Sequence, residues 1–355
     1  MADRLAVVFG AAGFLGSHVV EALVRGGTRV RAVDRPGADL SGARDLGAEA
    51  AFADLAGPVD RALLEGAQEA YNFTGMFDLG APAEVLRRAN VEVTANLCAA
   101  LRESDVESFV HASTVAVYGG VENPPATEDH PRSPRNPYER TKAEAEEVVW
   151  RHRRESGLPA RVLRPGFVYG PRSRYGQAMF LAVYLLLKSQ GKRAILLSGK
   201  SRGHHVHAED VARAALVVAR SKSAEGRPFH VADDRATSIG ETLEAVADAA
   251  GVRKRLRLRV SGPVVRAGLR MGRLIERRWN RKIEKGWREL VAKHNLVDAL
   301  KPRLDMGWLY YLTGRYVYDT SRLRALGWKP LHPDYRQGII ETVRWYRENR
   351  WVPDI

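Results

Sequence analysis

The chain has 355 residues, 45% of them hydrophobic, enough to bury a large core and to exclude a disordered chain. The formal net charge is +14, but residues 251–303, with 17 Lys/Arg against 4 Asp/Glu, supply +13 of it and leave the rest nearly neutral. One cysteine, Cys98, excludes an internal disulfide, and its setting in the helical run 95–101 reads as an inert, buried thiol.

In chain order, the apolar run Leu5-Ala6-Val7-Val8-Phe9 ends directly in Gly10-Ala11-Ala12-Gly13-Phe14-Leu15-Gly16, which reads as strand, turn and helix. Gly10 permits a tight turn, Gly13 lets backbone approach a pyrophosphate, and Gly16 lets the helix pack closely on the strand. The helix N-terminus then faces the phosphates. A second strand ends at Asp34, the distance at which an acid meets adenosine ribose hydroxyls, which favours NAD; Arg35 beside it leaves NADP open. Tyr138 and Lys142 follow, four residues apart on one helix face, where an ammonium beside a phenol favours its ionised form and makes tyrosine usable as a base. Strands and helices alternate through residues 161–163. The run Met179 to Leu187 is too short to span a bilayer; it reads as a core helix, with a lid over an apolar pocket as the alternative. Without a signal peptide or a span of ~20 apolar residues, a cytoplasmic location is expected, with peripheral contact to the inner face of a membrane as an option.

These residues resemble the extended short-chain dehydrogenase/reductase superfamily, from about Leu5 to about Trp345. The resemblance rests on several separated motifs: Asp54-Leu55, Asn72-Phe73-Thr74-Gly75, Asn90-Val91 through Asn96-Leu97, His111 to Gly119, Leu163 to Pro171, and Val206 to Ala212. It implies an α/β fold, a Rossmann-type doubly wound parallel sheet with a smaller, discontinuous substrate-binding lobe. The expected division is 1–165 for the cofactor domain, with returning segments near 204–250, then 166–203 and 251–330 for the substrate lobe, and 331–355 for a C-terminal helix and tail.

The resemblance also implies roles. Thr114 hydrogen-bonds the substrate oxygen, with Ser113 as a weaker alternative, Tyr138 removes the alcohol proton, and Lys142 holds the nicotinamide ribose while lowering the tyrosine's pKa. Gly10, Gly13, Phe14, Leu15, Gly16, Asp34, Arg35, Asp54, Leu55, Thr74, Gly75, Tyr138, Lys142 and Pro165 contact the cofactor. Tyr118, Phe167, Val168 and His207 are candidate substrate contacts. The implied activity is oxidation of a secondary alcohol by NAD, with NADP possible, and a homodimer is the expected assembly.

For the substrate, two departures matter. Phe167 stands where nucleotide-sugar enzymes of the superfamily usually carry Asn, and Val115 and Ala116 stand where 4,6-dehydratases usually place Asp and Glu. The segment Arg164 to Arg172 looks more like 3β-hydroxysteroid dehydrogenases and sterol C4-decarboxylating enzymes, and Tyr318 to Pro330 fits that branch. A small hydrophobic, sterol-like substrate is therefore the expectation; a nucleotide-sugar 4-epimerase using the same trio and a catalytically silent NAD-binding scaffold are the alternatives.

The basic stretch 251–303 alternates as Arg255-Leu256-Arg257-Leu258-Arg259 and then reads as one or two amphipathic helices from Pro263 to Leu290. A solvated face leads, ahead of an anionic membrane surface and, last, nucleic acid. His204, His205 and His207 lack the partners of a metal centre, and no metal is expected.

Overall fold

Seven parallel strands form the central sheet, in the spatial order Pro228–Val231, Ala160–Pro165, Ser108–Ala112, Glu69–Asn72, Leu5–Phe9, Arg29–Asp34, Glu49–Phe52. This is a computed structural model that describes residues 4–260, 262–297 and 300–355; of 263, 264, 266–271 and 273–275 only the helical backbone is described. Chain order runs outward in opposite directions from Leu5–Phe9 and Glu69–Asn72, so the switch point, where such sheets bind ligands, opens between them. The expected doubly wound sheet is present.

Both faces of the sheet are covered, which is why its central strand Leu5–Phe9 is apolar throughout rather than alternating. Ala6 and Val8 pack toward the helices Phe14–Arg25 and Ala208–Arg220, against Val19, Val20, Leu23, Val211 and Val218. Val7 and Phe9 pack toward Val93–Leu101 and Pro137–Ser156, against Leu97, Val148 and Val149. Cys98 is fully buried in that second layer, and burial pushes its thiol up to about 12.

A second core joins the helices Gln177–Ser189, Ile239–Ala249, Gly262–His294 and Tyr335–Glu348 with the strand Ala194–Ser198, through Leu181, Leu185, Leu196, Val246, Trp287, Leu290 and Ile339. Two expectations change here. The helix Ile239–Ala249, assigned to the returning Rossmann segments, packs in this second core because Leu243, Val246 and Ala247 face Gln177–Ser189 and the strand Ala194–Ser198. The C-terminal helix Tyr335–Glu348 belongs to the same core rather than forming a separate tail. The run Met179 to Leu187 lies in a core helix, with Leu181, Ala182 and Leu185 buried.

The basic stretch contains one 33-residue helix, Gly262–His294. Its described apolar side chains divide: Trp287 and Leu290 are buried, whereas Trp279 is 56% exposed. Leu269, Met271, Leu274 and Ile275 lie outside the described side chains. Among the described residues no helix is long and apolar enough to cross a membrane.

Candidate active site

The glycine turn is shaped by what a side chain would strike. Gly10 has φ +79°, and a Cβ there would lie 2.7 Å from the Phe73 carbonyl oxygen; one on Gly16 would overlap the Gly10 carbonyl oxygen. Gly13 opens the helix Phe14–Arg25 with no side-chain cap, so the first helical N–H groups are left for an anion rather than consumed by a serine or aspartate. Asp34, at the end of the neighbouring strand, accepts from Ala12 N and Arg35 N, both at 2.8 Å. The carboxylate thus braces the turn, and its remaining lone pairs suit the two hydroxyls of a ribose. These residues fit a dinucleotide. Arg35 and Asp54 are exposed at the same edge, while Leu55 is buried and its carbonyl accepts from Asn96 Nδ2 at 3.0 Å.

Asn72-Phe73-Thr74-Gly75 departs from the family pattern without loosening the loop. Asn72 Oδ1 accepts from Thr74 N (3.0 Å) and Thr74 Oγ1 (2.5 Å), while its Nδ2 lies 3.1 Å from His111 Nδ1. Asn90 extends the brace: Oδ1 accepts from Met76 N at 2.8 Å and Nδ2 donates to Thr141 Oγ1 at 3.0 Å, tying the Gly75 loop to the helix of Tyr138. That positioning role was not foreseen, although the Asn90 motif was visible.

The helix Pro137–Ser156 starts where its sequence dictates. Asn136 caps it by accepting from Glu139 N at 2.9 Å, Pro137 occupies the first turn, and Gly157 ends it at φ +73°. This places Tyr138 in the first turn, where it lines one cavity with Thr114, and Lys142 one turn further on. Burial holds the Tyr138 phenol well above its ordinary value, and the Thr114 hydroxyl pulls the other way. Lys142 Nζ donates to the Ala112 carbonyl at 2.7 Å, and burial lowers the ammonium to about 8 against the opposing charge of Glu146. The lysine was expected to lower the tyrosine's pKa; in the protein alone its charge is directed at a carbonyl, and burial of the phenol prevails. Ser113 Oγ is buried without a protein partner.

Thr114 and Tyr138 open on a cavity of about 180 Å³ lined also by Phe14, Leu15, Ser113, Pro165, Phe167 and Val168. Sequence reasoning missed its outer wall: Phe77 meets the Tyr138 ring edge-on at 4.8 Å and contacts Tyr175 and Trp308, while Tyr311, Tyr316 and Tyr318 complete the lining. The only available signal was the density of aromatic residues between Trp308 and Tyr318. Among the described residues, no lysine, arginine or carboxylate is in the lining.

Two candidate substrate contacts fall elsewhere. Tyr118 is fully buried behind the cavity, its hydroxyl 2.8 Å from His230 Nε2 and bonded to Arg164, because the short helix Val115–Tyr118 turns it into the core. His207 is buried at the cap of the helix Ala208–Arg220, its Nδ1 accepting from Glu209 N at 3.3 Å, and its ring packs on that of His332 at 3.8 Å and a tilt of 36°. His207, Glu209 and His332 are close enough to suggest a cation site. Their ring nitrogens are already engaged, however: His207 Nδ1 accepts from Glu209 N, and both nitrogens of His332 face carboxylates. The arrangement instead holds His332 between Glu209 and Glu341, each 3.3 Å away, which raises its pKa, while burial lowers that of His207 to about 3.

Comparison with known proteins agrees with this geometry. Residues 6–232 match the model of the NAD dependent epimerase/dehydratase family. Human dTDP-D-glucose 4,6-dehydratase is 28% identical over 260 residues, 73% of this chain and 62% of the relative's length; that of Streptomyces griseus is 26% identical over 380 residues, covering 98% and 96%. UDP-N-acetylglucosamine 4-epimerase from Methanobrevibacter ruminantium superposes with a TM-score of 0.74 at 18% identity, covering 98% of this chain and 99% of that one. DesIV, a dTDP-glucose 4,6-dehydratase from Streptomyces venezuelae solved with NAD, gives 0.70 at 24% identity, covering 98% of each. With the family model matching well over half its length, the chain belongs to the NAD dependent epimerase/dehydratase family.

Proposed function

We propose that this protein oxidises a secondary alcohol on a nucleotide-sugar substrate with NAD and returns the hydride to the opposite face, as a 4-epimerase does. The observation that carries the reading is the Thr114–Tyr138 pair opening on one cavity with Pro165, while the neighbouring Val115 and Ala116 are buried and apolar. An alcohol can be oxidised there, but no carboxylate stands at positions 115 and 116 for the elimination that a dehydratase performs. The names of the relatives, sugar-nucleotide dehydratases and epimerases, support this class and give no support to a sterol.

NAD, held by the glycine turn and Asp34, supplies the hydride acceptor. Thr114 Oγ1 orients the substrate hydroxyl by hydrogen bonding, and Tyr138 Oη takes its proton. For that transfer Lys142 must bring its positive charge to bear on the phenol, exchanging the Ala112 carbonyl for the ribose that the family assigns to it. Burial of Tyr138 then favours return of the proton to the substrate oxygen when the ketone is reduced again, which suits a reaction run in both directions.

A second reading, a dehydrogenase acting on a hydrophobic alcohol, is favoured by the aromatic lining without a charged side chain. The intact trio argues against a silent scaffold. Purified protein with NAD is to be assayed on UDP- and dTDP-sugars and on 3β-hydroxysterols. Sugar interconversion without net NADH is the expected result, read by product chromatography; NADH growth on sterols alone overturns it in favour of the second reading.

A further inference from the structure

We propose that the ribbon formed by Ala194–Ser198 and Arg255–Arg259 docks the protein on an anionic lipid surface. The two strands run parallel with Ile195 opposite Leu256 and Leu197 opposite Leu258, so these four aliphatic side chains share one face. Alanine and leucine on the other face, Ala194 and Leu196, are buried in the second core. Of the arginines that alternate with the leucines, Arg255 pairs with Asp248, and Arg257 with Glu244 at 2.6 Å, both acids on the helix Ile239–Ala249, although the Arg257 side chain stays 70% exposed. Ile195, Leu256 and Leu258 are 45%, 41% and 42% exposed, whereas the arginines between them are partly satisfied by the protein.

The surroundings of this apolar face are cationic. Lys192, Arg193, Arg253 and Lys254, just before the two strands, are all exposed, as is Arg259 at the end of the second strand. Basic side chains around an exposed aliphatic patch match a surface that offers negative headgroups and, just beneath them, hydrocarbon. A second copy of this chain would bring a like-charged segment against its own +13. Nucleic acid would meet the cations but gain little from aliphatic side chains, since bases are held by aromatic stacking. Charge and apolarity together therefore select a lipid surface. The patch is also coupled to the cavity wall: Ser201, just past the first strand, donates to the Tyr311 carbonyl at 2.7 Å, and Tyr311 lines the cavity. None of this depends on the substrate assigned above.

The test is flotation of the full chain with phosphatidylcholine vesicles, with and without ~30% phosphatidylglycerol, at ~50 and ~500 mM salt. Binding is expected only to the anionic vesicles and to weaken at high salt. Leu256→Ser with Leu258→Ser should cut partitioning about tenfold, since two half-exposed leucines lose their contact with hydrocarbon, while NADH fluorescence titration and the melting temperature stay unchanged. No flotation with anionic vesicles at low salt overturns the proposal. So does undiminished flotation of the double variant, or equal displacement by a DNA duplex regardless of the leucines, which would mark a purely electrostatic site.

Discussion

The buried pair Glu146–Arg164 links the stability of this protein to its chemistry, and Glu146→Gln should disturb both. Arg164 Nε and Nη2 reach the two carboxylate oxygens of Glu146 at 2.9 and 2.6 Å, with side-chain exposures of 5% and 0%, and Arg132 lies 3.6 Å away. Removing the carboxylate strands a guanidinium in the core, which costs about 3–5 kcal/mol for pairs of this kind. Glu146 also stands one turn beyond Lys142 and is the charge that opposes burial in holding its ammonium. Without it burial acts alone, and the lysine loses its proton below the pH of about 8 at which it otherwise does so. The alkaline limb of kcat/KM should therefore shift to lower pH. Adding Arg164→Met removes the stranded charge and should recover most of the stability, but not the position of the limb, because Lys142 still lacks its carboxylate. Urea unfolding and pH–rate profiles on the substrate that the panel identifies measure the two effects. A loss under about 1 kcal/mol, or a limb that does not move, would refute the reasoning.

Other outcomes follow from single contacts. Tyr138→Phe should abolish turnover and leave NAD binding intact; retained turnover would remove Tyr138 from the chemistry. Asp34→Ala should weaken NAD at least tenfold and NADP less, because it removes both the ribose acceptor and the brace on Ala12 N; equal losses would mean the carboxylate only supports the turn. The carboxylates around His332 raise its pKa, so its stabilising charge is fully present below pH 6.5 and is lost as pH rises through the raised value. The melting-temperature advantage of the wild type over His332→Gln should accordingly be larger at pH 6 than at pH 9, and a constant difference would exclude the ion pairs as its source.

The local chemistry of the cofactor half was legible in the sequence because it is written in contiguous residues. Gly10, Gly13 and Gly16 follow directly on a strand, Asp34 ends the next one, and Tyr138 and Lys142 share a helix whose start is marked by Asn136 and Pro137. Strand order follows from right-handed crossovers between such units. The amino-acid sequence also carried the ribbon in plain view as Arg255-Leu256-Arg257-Leu258-Arg259, but its period of two does not say which strand it pairs with or what packs beneath it. That was decided by Ala194 and Leu196 entering the second core and by acids on the helix Ile239–Ala249 receiving the arginines. The cavity wall was likewise beyond local reading, since Phe77, Tyr175 and Trp308 lie far apart in the chain and meet only because two lobes close over Tyr138. Tyr118 and His207 were misjudged for the same reason: a motif gives a residue's neighbours along the chain, whereas burial depends on what packs across from it. Local turns and caps are fixed by backbone sterics within a few residues, while the direction of a side chain into a core or a cavity is fixed by partners supplied from elsewhere in the fold.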